Sequence, residues 1–323
     1  MSAAGSHSFE PTDRAERLVS SLDETLNTLA AVGAPPRRLA ELARFCHAAL
    51  EGLGPELAQR GTSRENLSVP RMRGGDPASE PLLAFLCALR ALSRAKIEFL
   101  RATQLAGTAG DDRSMRGVEL IGVAERFAWC ARLPSVVCVA GLAASGKSTV
   151  AGALAAAAGR SVVSSDRVRT RRAGLDPDER AVHSSYGDEE SRAVYVELAQ
   201  CAADAADRDG GVIVDATFRR TSDVDAFAAA APITSAAEWV VCEAPPAVLI
   251  QRAHAREVAG ADPGSGPSVV AAELAGHRGR FVAPVAPLVR LDTTRPVPDL
   301  LSDLAGVLDA RLARQITDEG TPS

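Results

Sequence analysis

Lysine is nearly absent from this chain. Of 36 basic residues in 323, only Lys96 and Lys147 are lysine, and the rest are arginine. A lysine kept against that background marks a position where a compact, flexible ammonium differs from a planar guanidinium. Aromatic residues are also scarce, at 4% of the chain, and the net charge is -5. Both argue against a dedicated nucleic-acid surface, which needs basic charge and rings for bases to stack on. No apolar run approaches the ~18 residues of a membrane span, so no membrane association is expected. The opening MSAAGSHSFEPTDRAERL lacks the basic start and apolar stretch of an export signal. The six cysteines (Cys46, Cys87, Cys130, Cys138, Cys201, Cys242) lie far apart, with no C-x-x-C pair. Zinc and redox sites are therefore disfavoured, and buried thiols in a reducing cytoplasm are expected.

What is present divides the chain in two. Residues 1–12 read as a loose tail. Leu18, Leu22, Leu26 and Leu29 then recur at helical spacing until GAPP stops them. A second helix, RRLAELARFCHAALEGLG, is expected to end at Gly52 and Gly54, and the polar, Gly/Pro-rich residues 55–79 to form a loop. Two more amphipathic helices, roughly 80–105 and 113–132, complete an all-helical module over 13–133. After Pro134 short Val-rich runs alternate with helical stretches: SVVCVA, SVVSSD, GVIVDAT, EWVVCEA and LVRLDTT. Near-continuous apolar runs predict strands buried on both faces of a five-stranded parallel sheet, hence an α/β domain over 134–315. Residues 316–323 read as a disordered tail.

GLAASGKS, Gly141 to Ser148, fits G-x-x-x-x-G-K-[ST] in full. Gly141 and Gly146 allow a tight turn and close backbone approach to oxygen atoms. The loop N–H groups, through Leu142, Ala143, Ala144 and Ser145, and the start of the next helix face phosphate. Lys147 is placed to reach the β- and γ-phosphates, Ser148 to ligate Mg²⁺, and Thr149 to contact the α-phosphate. Ligands of a parallel sheet bind where its strands end. Two strand-end carboxylates therefore stand out: Asp166 as the base, and Asp215 in the Mg²⁺ shell, through water, or on substrate. A helix-capping role is the alternative for both. Arg169 and Thr217, at the same edge, are the candidate substrate contacts. Arg252 and Arg256, four apart on one helix face before the Gly-rich VAGADPGSGPS, read either as lid arginines over the phosphates or as a solvated face. Of His183, His254 and His277, only His183 is placed to touch substrate.

The ordered set GLAASGKST, VVSSDRVR, VIVDATF, Arg252-x-x-x-Arg256 and LDTT resembles the AAA_33-type P-loop kinases. That group is akin to polynucleotide 5′-kinases, chloramphenicol phosphotransferase, gluconate kinase and zeta toxins. The resemblance implies ATP with Mg²⁺ and the carboxylate after strand two as base, which is Asp166. It also implies a substrate-side helix in YGDEESRAVYVELAQCAADAADRDG. Where the family carries an arginine after DATF this chain has Val224, with Arg219 and Arg220 nearby. GGDPASEPLLAFLCALRALSRAKIEFLRA, with Arg94-Ala95-Lys96, is similar to the interdomain helix of bacterial fusions of an aminoglycoside phosphotransferase-like domain to such a kinase. No H-G-D-type loop precedes it, so the helical module is expected to be a truncated, non-catalytic counterpart that packs on the kinase domain or meets a protein partner. The leading expectation is a cytoplasmic phosphotransferase moving the γ-phosphoryl of Mg·ATP to a hydroxyl of a small-molecule substrate. The alternatives are a nucleotide-dependent switch or weak ATPase, and, third, a nucleic-acid 5′-end kinase.

Overall fold

The structure, a computed structural model, describes residues 11–60, 80–105, 107–175, 188–259, 267–276 and 288–318. They form two compact units. One comprises the residues to Arg132 together with those from Ala305, and the other runs from Leu133 to Leu304.

The first unit is helical: α1 (Pro11–Ala31), α2 (Pro36–Arg60), α3 (Glu80–Ala102) and α4 (Thr108–Arg132). The leucine stripe of α1 faces inward, with Leu22 and Leu29 buried beside Leu42, Phe45, Leu82, Phe85, Leu92 and Ile121. The expected end of α2 is wrong. It runs through Gly52 and Gly54 to Arg60. Gly52 serves a close approach instead, since a Cβ there would lie 2.0 Å from the Leu312 carbonyl oxygen. Gly117 does the same for Phe99, whose ring would meet a Cβ at 2.6 Å. Asp309 is buried and gripped by Arg132, Nε to Oδ1 at 2.7 Å and a second nitrogen to Oδ2 at 3.0 Å, with Arg44 at 3.2 Å. The Arg132 guanidinium lies over the rings of Phe45 and Trp129. A charge taken from water this completely holds only while its partners stay in place.

The second unit is a five-stranded, all-parallel sheet in the order β2-β3-β1-β4-β5. Its strands are β1 (Val136–Ala140), β2 (Ser161–Ser164), β3 (Val212–Asp215), β4 (Glu238–Glu243) and β5 (Leu288–Asp292). The helices between them are α5 (Lys147–Ala158), α6 (Ser165–Arg172), α7 (Asp188–Asp209), α8 (Thr221–Ala230), α9 (Pro246–Val258) and α10 (Pro267–Gly276). The last helix, α11 (Val297–Asp318), begins in this unit, and its residues from Ala305 belong to the first. β1 and β3 are buried throughout, and β4 is buried up to its last residue. The expectation of strands buried on both faces fails at the sheet's edges. β2 is half-buried along its length and β5 alternates, because each has a neighbour on one side only. One face of the sheet packs Val136, Cys138, Val214 and Trp239 against Tyr195, Leu198, Phe218 and Phe227.

Register fixes the working edge. Val139 pairs with Asp215, and Asp215 pairs with Ser164. The residues just beyond these three positions, Gly141 onward, Thr217 onward and Asp166, therefore emerge side by side at the C-terminal edge.

Candidate phosphate-transfer site

The loop after β1 closes on itself through Ser145 N–H to Leu142 O, 3.1 Å, and opens α5 through Val150 N–H to Gly146 O, 3.1 Å. Gly141 has φ +148, and a Cβ there would strike the Cys242 carbonyl oxygen at 2.5 Å. Gly146, at φ +85, is the left-handed N-cap of α5. Ala144 shares the left-handed region at φ +65 without being glycine. Such backbone is uncommon outside glycine and is held by its surroundings. Here the loop is clamped by Leu142, Ala143 and Ala144 packing on Leu249, Ala253 and Val270.

The wall beside the loop comes from the end of β5. Thr293 Oγ1 donates to the Ser145 carbonyl, 2.7 Å, and its N–H donates to Glu243 O, 2.9 Å. Arg252 donates to Thr293 twice, at 3.0 Å to Oγ1 and 2.6 Å to the carbonyl. Arg252 is therefore part of the wall that steadies the loop. Arg252 and Arg256 line a cavity of about 410 Å³ together with Gly146, Lys147, Ser148 and Thr149. Thr293, Arg295, Val297 and Leu300 also line that cavity and had no assigned role in the sequence reading. The only sequence signal for them was LDTT at a strand end.

Asp215 ends β3, with 7% of its surface exposed. Burial pushes its carboxyl above the usual carboxylate range. The Lys147 charge and a hydrogen bond from Ser148 pull it back, and Asp166 pushes it up again. Its Oδ1 has no hydrogen-bond partner among the described residues. A buried carboxylate oxygen with a free lone pair, next to the loop's serine hydroxyl and lysine, suits a divalent cation or its water. Asp215 and Ser148 thus fit Mg²⁺, by the chemistry of their donors.

Asp166 is not the last residue of a strand, as SVVSSD suggested. β2 stops at Ser164, which caps α6, its Oγ accepting from Asp166 N–H at 3.2 Å. Asp166 lies in the first turn of α6 and is exposed. Its carboxylate is therefore not the cap.

On the other side of the loop, Arg169 is buried at 7% exposure, its guanidinium 6.0 Å from the centre of the Tyr195 ring. Tyr195 is buried in α7, and burial pushes its hydroxyl up to about 12. That hydroxyl accepts from Phe218 N–H at 2.9 Å and is hydrogen-bonded to the Thr217 side chain. The sequence reading placed Thr217 on substrate; its hydroxyl is tied to Tyr195. Val224 is partly buried against the core, and Arg220 lines a second cavity, about 890 Å³, between α7 and α8 with Glu189, Arg192, Ser222, Asp223 and Asp225. His183, His277 and the Gly-rich residues 260–266 lie outside the described residues.

Residues 136–284 match the AAA_33 family, an AAA domain. The AAA_33 match begins at the first residue of β1 and stops before β5, so it takes in the phosphate loop, Asp166, Asp215 and both arginines of α9, and leaves out Thr293. A gluconokinase from Sinorhizobium meliloti 1021 is similar over 58% of this chain and 98% of its own, at 20% identity and TM-score 0.41. A sugar kinase from Janibacter sp. HTCC2649 is similar over 56% of this chain and 97% of its own, at 21% identity and TM-score 0.41. No curated protein matches the chain. Among the described residues, no helix is long and apolar enough to cross a membrane.

Proposed function

We propose that this protein is an ATP-dependent phosphotransferase that moves the γ-phosphoryl group to a hydroxyl of a small polar molecule. The observation that carries this reading is Asp215: a buried carboxylate, bonded to Ser148, beside Lys147, with one oxygen unpartnered among the described residues. A loop that only held phosphate as structure has no use for a buried carboxylate at the end of the strand next to the one that leads to Asp166. The match of residues 136–284 to the AAA_33 family agrees with this assignment.

The sheet order divides the labour. Nucleotide base and ribose take the 410 Å³ cavity on the β4–β5 flank, and the triphosphate lies along Gly141–Thr149. The acceptor enters from the β2–β3 flank, where the 890 Å³ cavity opens between α7 and α8. Lys147 and the loop N–H groups stabilise charge on the β- and γ-phosphates. Mg²⁺, when bound through Asp215 and Ser148, neutralises phosphate charge that the loop alone leaves uncompensated. Asp166 accepts the acceptor's hydroxyl proton as its oxygen attacks phosphorus, and the bond to the departing ADP oxygen breaks.

The test is ADP formation from Mg·ATP, alone and with pooled sugars, sugar acids, other hydroxylated metabolites and aminoglycosides, with Lys147→Ala and Asp166→Asn beside the wild type. Turnover stimulated by an acceptor and lost in both variants is the expected result. ATP binding that depends on Lys147, with no stimulated turnover and no effect of Asp166→Asn, replaces this reading with a nucleotide-dependent switch.

A further inference from the structure

The turn that follows β3 is strained without a glycine to excuse it. Phe218 has φ +45, inside the left-handed region, and is an aromatic residue with no exposed surface. Bulky side chains adopt that backbone only where the surroundings over-determine it, and such positions cluster at functional sites. Three rings fix the Phe218 side chain: Tyr195 at 5.0 Å, Phe227 at 5.2 Å and Trp239 at 4.7 Å between centroids. One hydroxyl fixes its backbone, that of Tyr195, which accepts the Phe218 N–H at 2.9 Å and also holds Thr217.

Tyr195 touches a second element as well. Its ring lies 6.0 Å from the guanidinium of Arg169, on α6, three residues after Asp166. The same side chain therefore meets the segment two and three residues beyond Asp215 and the helix that presents Asp166.

We infer that Tyr195 is a positioning residue for phosphoryl transfer, its hydroxyl locking the Thr217–Phe218 turn so that Asp215 and Asp166 stand at their working separation. This rests on the phosphotransferase reading. Tyr195 acts on the acceptor flank alone: the donor flank is held by Thr293 and Arg252, which it does not meet. Losing the hydroxyl should therefore lower turnover and leave nucleotide affinity in place. A purely structural tyrosine would affect neither, or both together through loss of folded protein.

The experiment compares wild type, Tyr195→Phe, Thr217→Val and the double variant. Tyr195→Phe keeps the ring and its packing. Three quantities are read: the Kd of Mg·ATP by calorimetry, kcat of ADP formation with the best acceptor of the pool or with water, and amide exchange at Phe218. Each single variant should lower kcat on the order of 10-fold or more, as small misplacements of reacting groups do. Kd should stay within about twofold, and the double variant should be no worse than either single, since both break one unit. Exchange at Phe218 should speed up in Tyr195→Phe. Unchanged kcat, or kcat and affinity falling together, overturns the inference. Wild type that binds Mg·ATP and forms no ADP with any acceptor or with water overturns the phosphotransferase reading itself, a result visible before any variant is compared.

Discussion

The two flanks of the phosphate loop are built from different materials. On the β4–β5 flank most of the holding bonds run to main-chain oxygens: Thr293 to Ser145 and Glu243, and Arg252 to the Thr293 carbonyl beside its bond to Thr293 Oγ1. On the β2–β3 flank they run through one tyrosine side chain that reaches a neighbouring backbone N–H, a threonine and an arginine. Main-chain anchoring suits a partner whose phosphates are the same in every turnover. Side-chain anchoring can be retuned by substitution, which suits the partner that differs from one phosphotransferase to another.

The largest break in that comparison removes what both flanks share. Lys147→Ala should lower turnover on the order of 10³-fold, because no other ammonium serves the site and an arginine's planar fork does not replace it. ADP formation with saturating Mg·ATP checks this, and a Lys147→Arg variant that recovers fully would show that the scarcity of lysine carries no meaning here.

Next, Asp166→Asn should reduce acceptor-dependent ADP formation about 10²-fold while Mg·ATP affinity holds, which separates the flanks cleanly. The pH profile belongs with it. Asp215 titrates above the usual carboxylate range because it is buried. On the proposed assignment its anionic form serves the cation, so turnover should fall as pH drops through a value above the ~3.9 of a free aspartate. Asp215→Asn should abolish that acid limb along with Mg²⁺ dependence. An unshifted limb in Asp215→Asn would assign the titration elsewhere.

Thr293→Val comes third. It strips the donor from the Ser145 carbonyl and the acceptor from Arg252, which at about 1–2 kcal/mol predicts roughly a 10-fold weaker Mg·ATP affinity with kcat nearly unchanged. The opposite pattern would move Thr293 to the catalytic step. The smallest effect is expected from Arg171→Ala on α6. It cuts an ion pair to Glu197 that is largely exposed on the arginine's side, and thermal unfolding should register less than about 1 kcal/mol. A larger loss would mean that surface charge, and not Tyr195, organises the acceptor flank.

The phosphate loop was legible because its constraints are local. Gly141 and Gly146 are needed by the backbone of their own loop, and Lys147 and Ser148 follow at fixed spacing on the helix it opens. The Val-rich runs gave the five strands for a similar reason: β1, β3 and β4 are buried on both faces, so apolar residues are continuous. Asp215 followed from its place at the end of such a run. Asp166 was read as a strand end and lies on a helix, since the serine pair before it turns the chain from strand to helix two residues earlier than periodicity suggests. Gly52 was read as a helix stop because a glycine's local meaning is to end helices. Its actual partner, the Leu312 carbonyl, is far away in sequence.

By itself, then, the sequence determined the phosphate loop, the parallel strands and the edge at which their ends meet, because each depends on residues within one turn or one strand. Only the tertiary structure decided that Arg252 serves Thr293, that Thr217 is held by Tyr195, and that Phe218 accepts a left-handed backbone. Those bonds join elements separated by tens of residues, and their partners are ordinary side chains whose role comes from which neighbour the folded sheet places beside them.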